Sequence, residues 1–124
     1  MERFLLISIG AVFGANLRYW ISDLVNQRWQ NDFPMGTFMV NLVGCFILSF
    51  FMTLTADRFI IDPRLRLFFT VGFLGAFTTF STYSFESINL ISNGQLGLGL
   101  INLFGSAVLG GLVAVLAVYL AKLI

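Results

Sequence analysis

From Gly72 to Glu86 the chain reads Gly72-Phe-Leu-Gly75-Ala-Phe-Thr78-Thr79-Phe80-Ser81-Thr82-Tyr83-Ser84-Phe85-Glu86, with five serine and threonine hydroxyls in seven positions of an otherwise apolar stretch. Thr, Ser and aromatic residues are mediocre helix formers. Their concentration just after two glycines predicts a broken or locally unwound helix at mid-membrane depth. Backbone freed by such a break must be satisfied by protein or by a ligand. Carbonyls suit a cation and amides suit an anion, so the segment predicts an ion site. The bland alternative is that the hydroxyls bond back to their own helix at i−4 while the rings pack against lipid.

Other side chains fit the same chemistry. Asn41, Asn102 and Ser106 carry free donors, and the last two stand at i and i+4 on one helix face. They either line a common path or bond neighbouring helices together, since an unpaired amide in hydrocarbon costs several kcal/mol. Phe80 and Tyr83 lie three apart and lean to one side of a helix, where their positive ring edges would face an anion; packing is the commoner role for a phenylalanine. Arg18 and Glu86 are charges inside apolar segments, either a buried ion pair or the lining of a wet vestibule. Asp23 reads as interfacial, and Cys45 reads as a small inert hydrophobe.

The elements that hold these residues follow from composition. Of 124 residues, 58% are hydrophobic and 10% charged, against roughly 45–50% and about 25% in an ordinary globular domain. With no histidine and a single cysteine, histidine metal sites, Ser-His-Asp triads and disulfides are excluded. A net charge of +1 and one lysine argue against a nucleic-acid surface. Four apolar runs remain, at about 4–25, 35–56, 64–92 and 98–120, each long enough for a membrane of about 30 Å, in one all-α domain spanning 1–124. The first is read as a retained span rather than a signal peptide. Residues 26–34 (NQRWQNDFP), 57–63 (DRFIIDP) and 93–97 (NGQLG) read as the loops.

Gly10 with Gly14, Gly72 with Ala76 and Ala107 with Gly111 are small-xxx-small pairs that let helices approach closely. Four spans place both termini on one side with Arg3, Arg58, Arg64, Arg66 and Lys122, against Arg18 and Arg28 on the other. That bias favours cytoplasmic termini and leaves the opposite insertion open.

Gly10-Ala-Val-Phe-Gly14-Ala-Asn-Leu-Arg18-Tyr, Gly36-Thr-Phe-Met-Val-Asn41-Leu-Val-Gly44 and the Gly72–Glu86 segment together resemble the Fluc (CrcB) family of fluoride channels. The resemblance covers the whole chain. It implies an antiparallel, dual-topology homodimer in a bacterial plasma (inner) membrane, passively exporting fluoride and so protecting the cell. By position it implies that Phe80 and Tyr83 present ring edges to fluoride and that Asn41 donates its amide to the ion. Ser81, Thr82, Asn102 and Ser106 would continue the polar track. It also implies a structural sodium ion at the dimer interface, held by the carbonyls of Gly75 and Thr78 from both chains. Tyr83 stands where the family often has a second phenylalanine. Small neutral donors suit a compact, strongly hydrated anion that must bind weakly enough to leave.

The competing reading is a small four-helix proton-coupled exporter of the multidrug-resistance type. It needs a membrane carboxylate, for which Glu86 is the candidate, whereas that family places its carboxylate in the first span, where this chain has Asn16 and Arg18.

Overall fold

The computed structural model describes residues 1–57 and 59–124; Arg58, counted above in the charge bias, lies outside them. The described residues are helical with no strand. α1 spans Glu2–Arg28 and α2 spans Met35–Asp57. The third span opens with α3 (Pro63–Leu67), continues through a π-helical segment, Phe68–Leu74, into α4 (Gly75–Phe77), and resumes as α5 (Phe80–Ser92). The fourth runs from α6 (Leu96–Leu100) through a second π-helical segment, Ile101–Gly105, into α7 (Ser106–Leu123). Glu2–Arg28, Met35–Ala56, Pro63–Ser92 and Leu96–Leu123 are each long and apolar enough to cross a membrane.

The first and last helices outrun the expected spans by several residues at their ends. Asn26, Gln27 and Arg28, expected in the first loop, close α1, and Asp57, expected in the second, closes α2. A helix of 27 residues is about 40 Å long at 1.5 Å per residue, so polar ends continue the helical hydrogen bonds past a hydrocarbon core of about 30 Å. The boundaries between helices carry ordinary stop and start chemistry. Pro34 precedes α2, the Asn26 carboxamide accepts from the Gly36 amide at 2.8 Å, and Asp62 caps α3 by accepting from the Arg64 amide at 2.8 Å, with Pro63 at the first helical position. Gly94, at φ +82°, makes the tight turn between α5 and α6 that a side-chain-bearing residue would resist.

α2 packs along α7, and α1 packs along the first π-helical segment. Glycine makes the second contact possible. A Cβ on Gly10 would lie 2.8 Å from the Phe73 amide nitrogen, and one on Gly72 would lie 2.8 Å from the Ile7 carbonyl oxygen, so the two backbones meet without side chains between them. The expected Ala107–Gly111 pair makes no such contact: a Cβ on Gly111 would meet nothing, and Gly110 is the buried one, against Cys45. The apolar core is small, Val40, Leu74 and Phe77, with Phe69, Phe73 and Phe77 stacked at successive ring-centroid distances of 5.6 and 6.0 Å. Ser87, Asn102 and Thr37 are buried beside it, while Val12, Phe13, Val115 and Leu116 face outward. Polar groups inside and large apolar groups outside invert the pattern of a water-soluble domain and suit a lipid surround.

Candidate functional site

The site is organised by two extended residues. Thr78 (φ −92°, ψ 159°) and Thr79 (φ −149°, ψ 122°) interrupt the helical dihedrals between α4 and α5. Asn41 on α2 closes the interruption from the side. Its carboxamide oxygen accepts from the Thr79 amide at 2.9 Å, and its amide donates to the Thr79 carbonyl at 3.0 Å. One side chain thus replaces both backbone partners that Thr79 loses by leaving the helix. Gly44, three residues on, sits against the Thr78 methyl group, leaving no room for a side chain. Thr79 then starts α5 as its cap: its hydroxyl oxygen accepts from the Thr82 amide at 3.3 Å and its hydroxyl donates to that of Thr82 at 3.0 Å.

These bonds free two carbonyls. The Thr79 amide, which would close an α-turn onto Gly75, goes to Asn41, and the Thr82 amide, which would close one onto Thr78, goes to the Thr79 hydroxyl. Gly75 and Thr78 therefore each present a carbonyl oxygen whose helical donor is engaged elsewhere. Such neutral, hard oxygens fit the ligand preference of a small monovalent cation. Arg18 reaches the same region, its guanidinium donating to the Thr78 carbonyl at 3.5 Å.

Two cavities flank the interruption. The first, about 280 Å³, is bounded by Asn41, Cys45, Thr78, Thr79, Phe80, Tyr83 and Ser106. The Phe80 and Tyr83 rings stand 5.5 Å apart between centroids at 58°, on one side of α5 as their spacing predicts. Phe80 is 80% exposed, whereas Tyr83 is 9% exposed. The Tyr83 hydroxyl is engaged, donating to the Leu103 carbonyl at 2.5 Å. The second cavity, about 300 Å³, holds Arg18, Asp23, Thr37, Thr82 and Glu86. Thr79 borders both.

Arg18 and Glu86 share the second cavity without forming an ion pair with each other; Arg64 pairs with Glu2 instead, at 2.8 Å and exposed. One Glu86 oxygen accepts from the Thr37 hydroxyl at 2.9 Å, while Oε2 is buried with no hydrogen-bond partner. A buried acceptor left open in this way is available to a donor entering the cavity.

The remaining residues divide. Ser106 borders the first cavity and donates to the Asn102 carboxamide oxygen at 3.2 Å. Asn102 is 1% exposed, lies outside both linings, and donates to the Ser87 hydroxyl at 2.9 Å. Ser81 is exposed and borders neither cavity. Part of the bland reading also holds: Thr78, Ser84 and Ser87 each donate to the carbonyl four residues back. Sequence reasoning missed Thr37 and Ser87. Thr37 carries a signal, since it lies four residues before Asn41 on the same helix face, whereas nothing in a lone serine after Glu86 marks Ser87.

The family model described as "CrcB-like protein, Camphor Resistance (CrcB)" matches residues 5–118. The "Fluoride-specific ion channel FluC 1" of Moorella thermoacetica is 40% identical over 121 residues, covering 97% of this chain and 86% of the relative. A protein named "Fluoride-specific ion channel FluC" from Chloroflexus aurantiacus is 42% identical over 116 residues, 94% of this chain and 91% of its own. Its namesake from Maridesulfovibrio salexigens is 41% identical over 110 residues, 89% and 87% of the two chains. The match runs through all four apolar helices and the interruption at Thr78–Thr79, and the chain accordingly belongs to the CrcB-like protein family as a multi-pass membrane protein.

Proposed function

We propose that this chain forms a fluoride-selective channel that lets fluoride leave the cell passively across the bacterial inner membrane and so protects the cell from fluoride. Relatives about 40% identical over most of the chain carry that activity in their names. The structural observation that carries the reading is the pair of cavities that share Thr79, one bordered by the Phe80 and Tyr83 rings and by Asn41, the other by Arg18 and the Thr82 hydroxyl. An anion drawn to Arg18 would exchange water for the Thr82 hydroxyl, then for the second hydrogen of the Asn41 amide and the ring edges of Phe80 and Tyr83, while the Thr79 and Ser106 hydroxyls would donate to it only by turning away from Thr82 and Asn102. Each donor is neutral and singly weak, so the ion is passed on rather than trapped.

The interruption at Thr78–Thr79 lies near the middle of the membrane in this reading. The channel is a homodimer of antiparallel, dual-topology subunits. Support comes from the exposure of Phe80 and Gly75, which a second copy would cover. Gly75 and Thr78 of each subunit would then offer carbonyls to a shared structural sodium ion, which supplies positive charge that favours anions nearby. The relatives do not favour the proton-coupled exporter reading, whose candidate carboxylate, Glu86, stands in the third span rather than the first.

Vesicles loaded with potassium fluoride and made permeable to potassium by valinomycin test the proposal. Fast fluoride loss with chloride retained is the expected result. Well-folded protein that releases no fluoride contradicts it.

A further inference from the structure

Tyr83 is tied at both ends. Its hydroxyl donates to the Leu103 carbonyl at 2.5 Å, and its own carbonyl accepts from the Ser87 hydroxyl at 2.8 Å. Ser87 in turn accepts from the Asn102 amide at 2.9 Å, and Asn102 is the neighbour of Leu103 in the second π-helical segment. The bonds close a circuit: ring, Leu103, Asn102, Ser87 and back to the Tyr83 main chain. Gly99 lets it close, because a Cβ there would lie 2.8 Å from the Ser87 carbonyl oxygen and hold α6 away from α5. Every member is buried or half-buried, Ser87 at 0% exposure, so water does not compete for these bonds. Phe80, the other ring bordering the cavity, has no comparable tether.

We propose that the Tyr83 hydroxyl is an anchor rather than an ion ligand, and that Ser87 is the positioning residue that holds the circuit and fixes the Tyr83 ring against the ion path. This rests on the channel reading for its functional consequence, though the bonding does not. A phenol that spends its only hydrogen on Leu103 has none to give an anion. The ring then presents carbon–hydrogen edge to the cavity, as a phenylalanine would, but in one rotamer. Without Ser87, the Asn102 amide loses its acceptor and the Tyr83 main chain its tie. A ring released on a helix divides between the two χ1 wells that the preceding turn allows and keeps the productive one about half of the time. Fluoride binds at the Asn41 amide in either rotamer and only the tethered one passes it on, so maximal flux falls while half-saturation stays.

The test uses the full-length chain in liposomes, with Tyr19 and Tyr119 replaced by phenylalanine so that Tyr83 is the remaining tyrosine. Ultraviolet resonance Raman of the tyrosine doublet reports whether the phenol is a strong donor. The expected signature is a strong donor at zero fluoride, unchanged up to saturating fluoride, and weakened by Ser87→Ala. Maximal fluoride flux of Ser87→Ala should fall about twofold, with the half-saturating fluoride concentration unchanged. A doublet that shifts as fluoride is added makes the hydroxyl an ion ligand and overturns the anchor. A Ser87→Ala doublet identical to the parent's, or a flux loss that appears as raised half-saturation, overturns the role of Ser87. If Ser87→Ala does not fold, Ser87→Cys, a weaker donor and acceptor, takes its place with the same expected direction. Vesicles of the parent that release no fluoride defeat the channel reading alone, since the Raman result at zero fluoride still decides the anchor.

Discussion

Within its apolar spans the chain leaves the α-helix at Phe68–Leu74, at Thr78–Thr79 and at Ile101–Gly105, and an asparagine attends each of the last two. At Thr78–Thr79 the backbone opens completely, and Asn41 reaches across from another helix to bond the amide and carbonyl of a single residue. At Ile101–Gly105 the helix stays closed but widens to a π-helix, and Asn102, within the widened turn, bonds only side chains, Ser87 and Ser106. The first asparagine substitutes for secondary structure and the second supplements it. The places also differ in access. The opening at Thr79 borders two cavities, whereas Asn102 borders neither. An interrupted backbone exposes dipoles that an ion can use; a π-turn re-aims side chains and keeps its dipoles to itself.

Substitution at the two asparagines gives the largest expected effects and should separate them. Asn41→Ala leaves the Thr79 amide and carbonyl unpaired, two part-buried groups at roughly 1–2 kcal/mol each. We expect a loss of about 2–4 kcal/mol in reversible unfolding in mixed micelles, together with loss of fluoride flux. Asn102→Ala leaves the Ser87 hydroxyl its bond to Tyr83 and frees only Ser106. Its expected cost is about 1–2 kcal/mol by the same unfolding measurement, with flux reduced rather than lost. Equal effects at the two positions would erase the distinction drawn above.

Thr79→Val is the smaller and sharper probe. It removes the cap on α5 while keeping side-chain volume, for an expected cost of about 1 kcal/mol. Amide exchange should accelerate at Thr82 and leave Leu103 unchanged, which confines the change to the interrupted side.

Much of the interrupted side was legible in the sequence. Hydroxyls crowded behind two glycines marked the break, and Phe80 and Tyr83, three apart, marked the shared face. Asn41 stood out as an amide in an apolar helix, although its double bond to Thr79 did not, because that depends on which helix lies beside α5. The π-helical segments left no trace. Phe69, Phe73 and Phe77 recur at a spacing that an ordinary α-helix also gives, so the widening in the third span is invisible in the pattern. Arg18 and Glu86 were recognisable as intramembrane charges. That they share a cavity without pairing is a matter of tertiary placement, with Thr37 taking one carboxylate oxygen.

Fluoride passage beside the Phe80 ring is the centre of the account, and paired substitutions on α5 test it most directly. Phe80 borders the first cavity, while Phe85, 72% exposed on the same helix, borders neither. Fluoride and chloride efflux would be followed from vesicles holding the parent, Phe80→Ile or Phe85→Ile. The account predicts fluoride-selective efflux from the parent and from Phe85→Ile, with at least a tenfold loss, about 1.4 kcal/mol in barrier terms, for Phe80→Ile. Undiminished fluoride efflux through well-folded Phe80→Ile would contradict it.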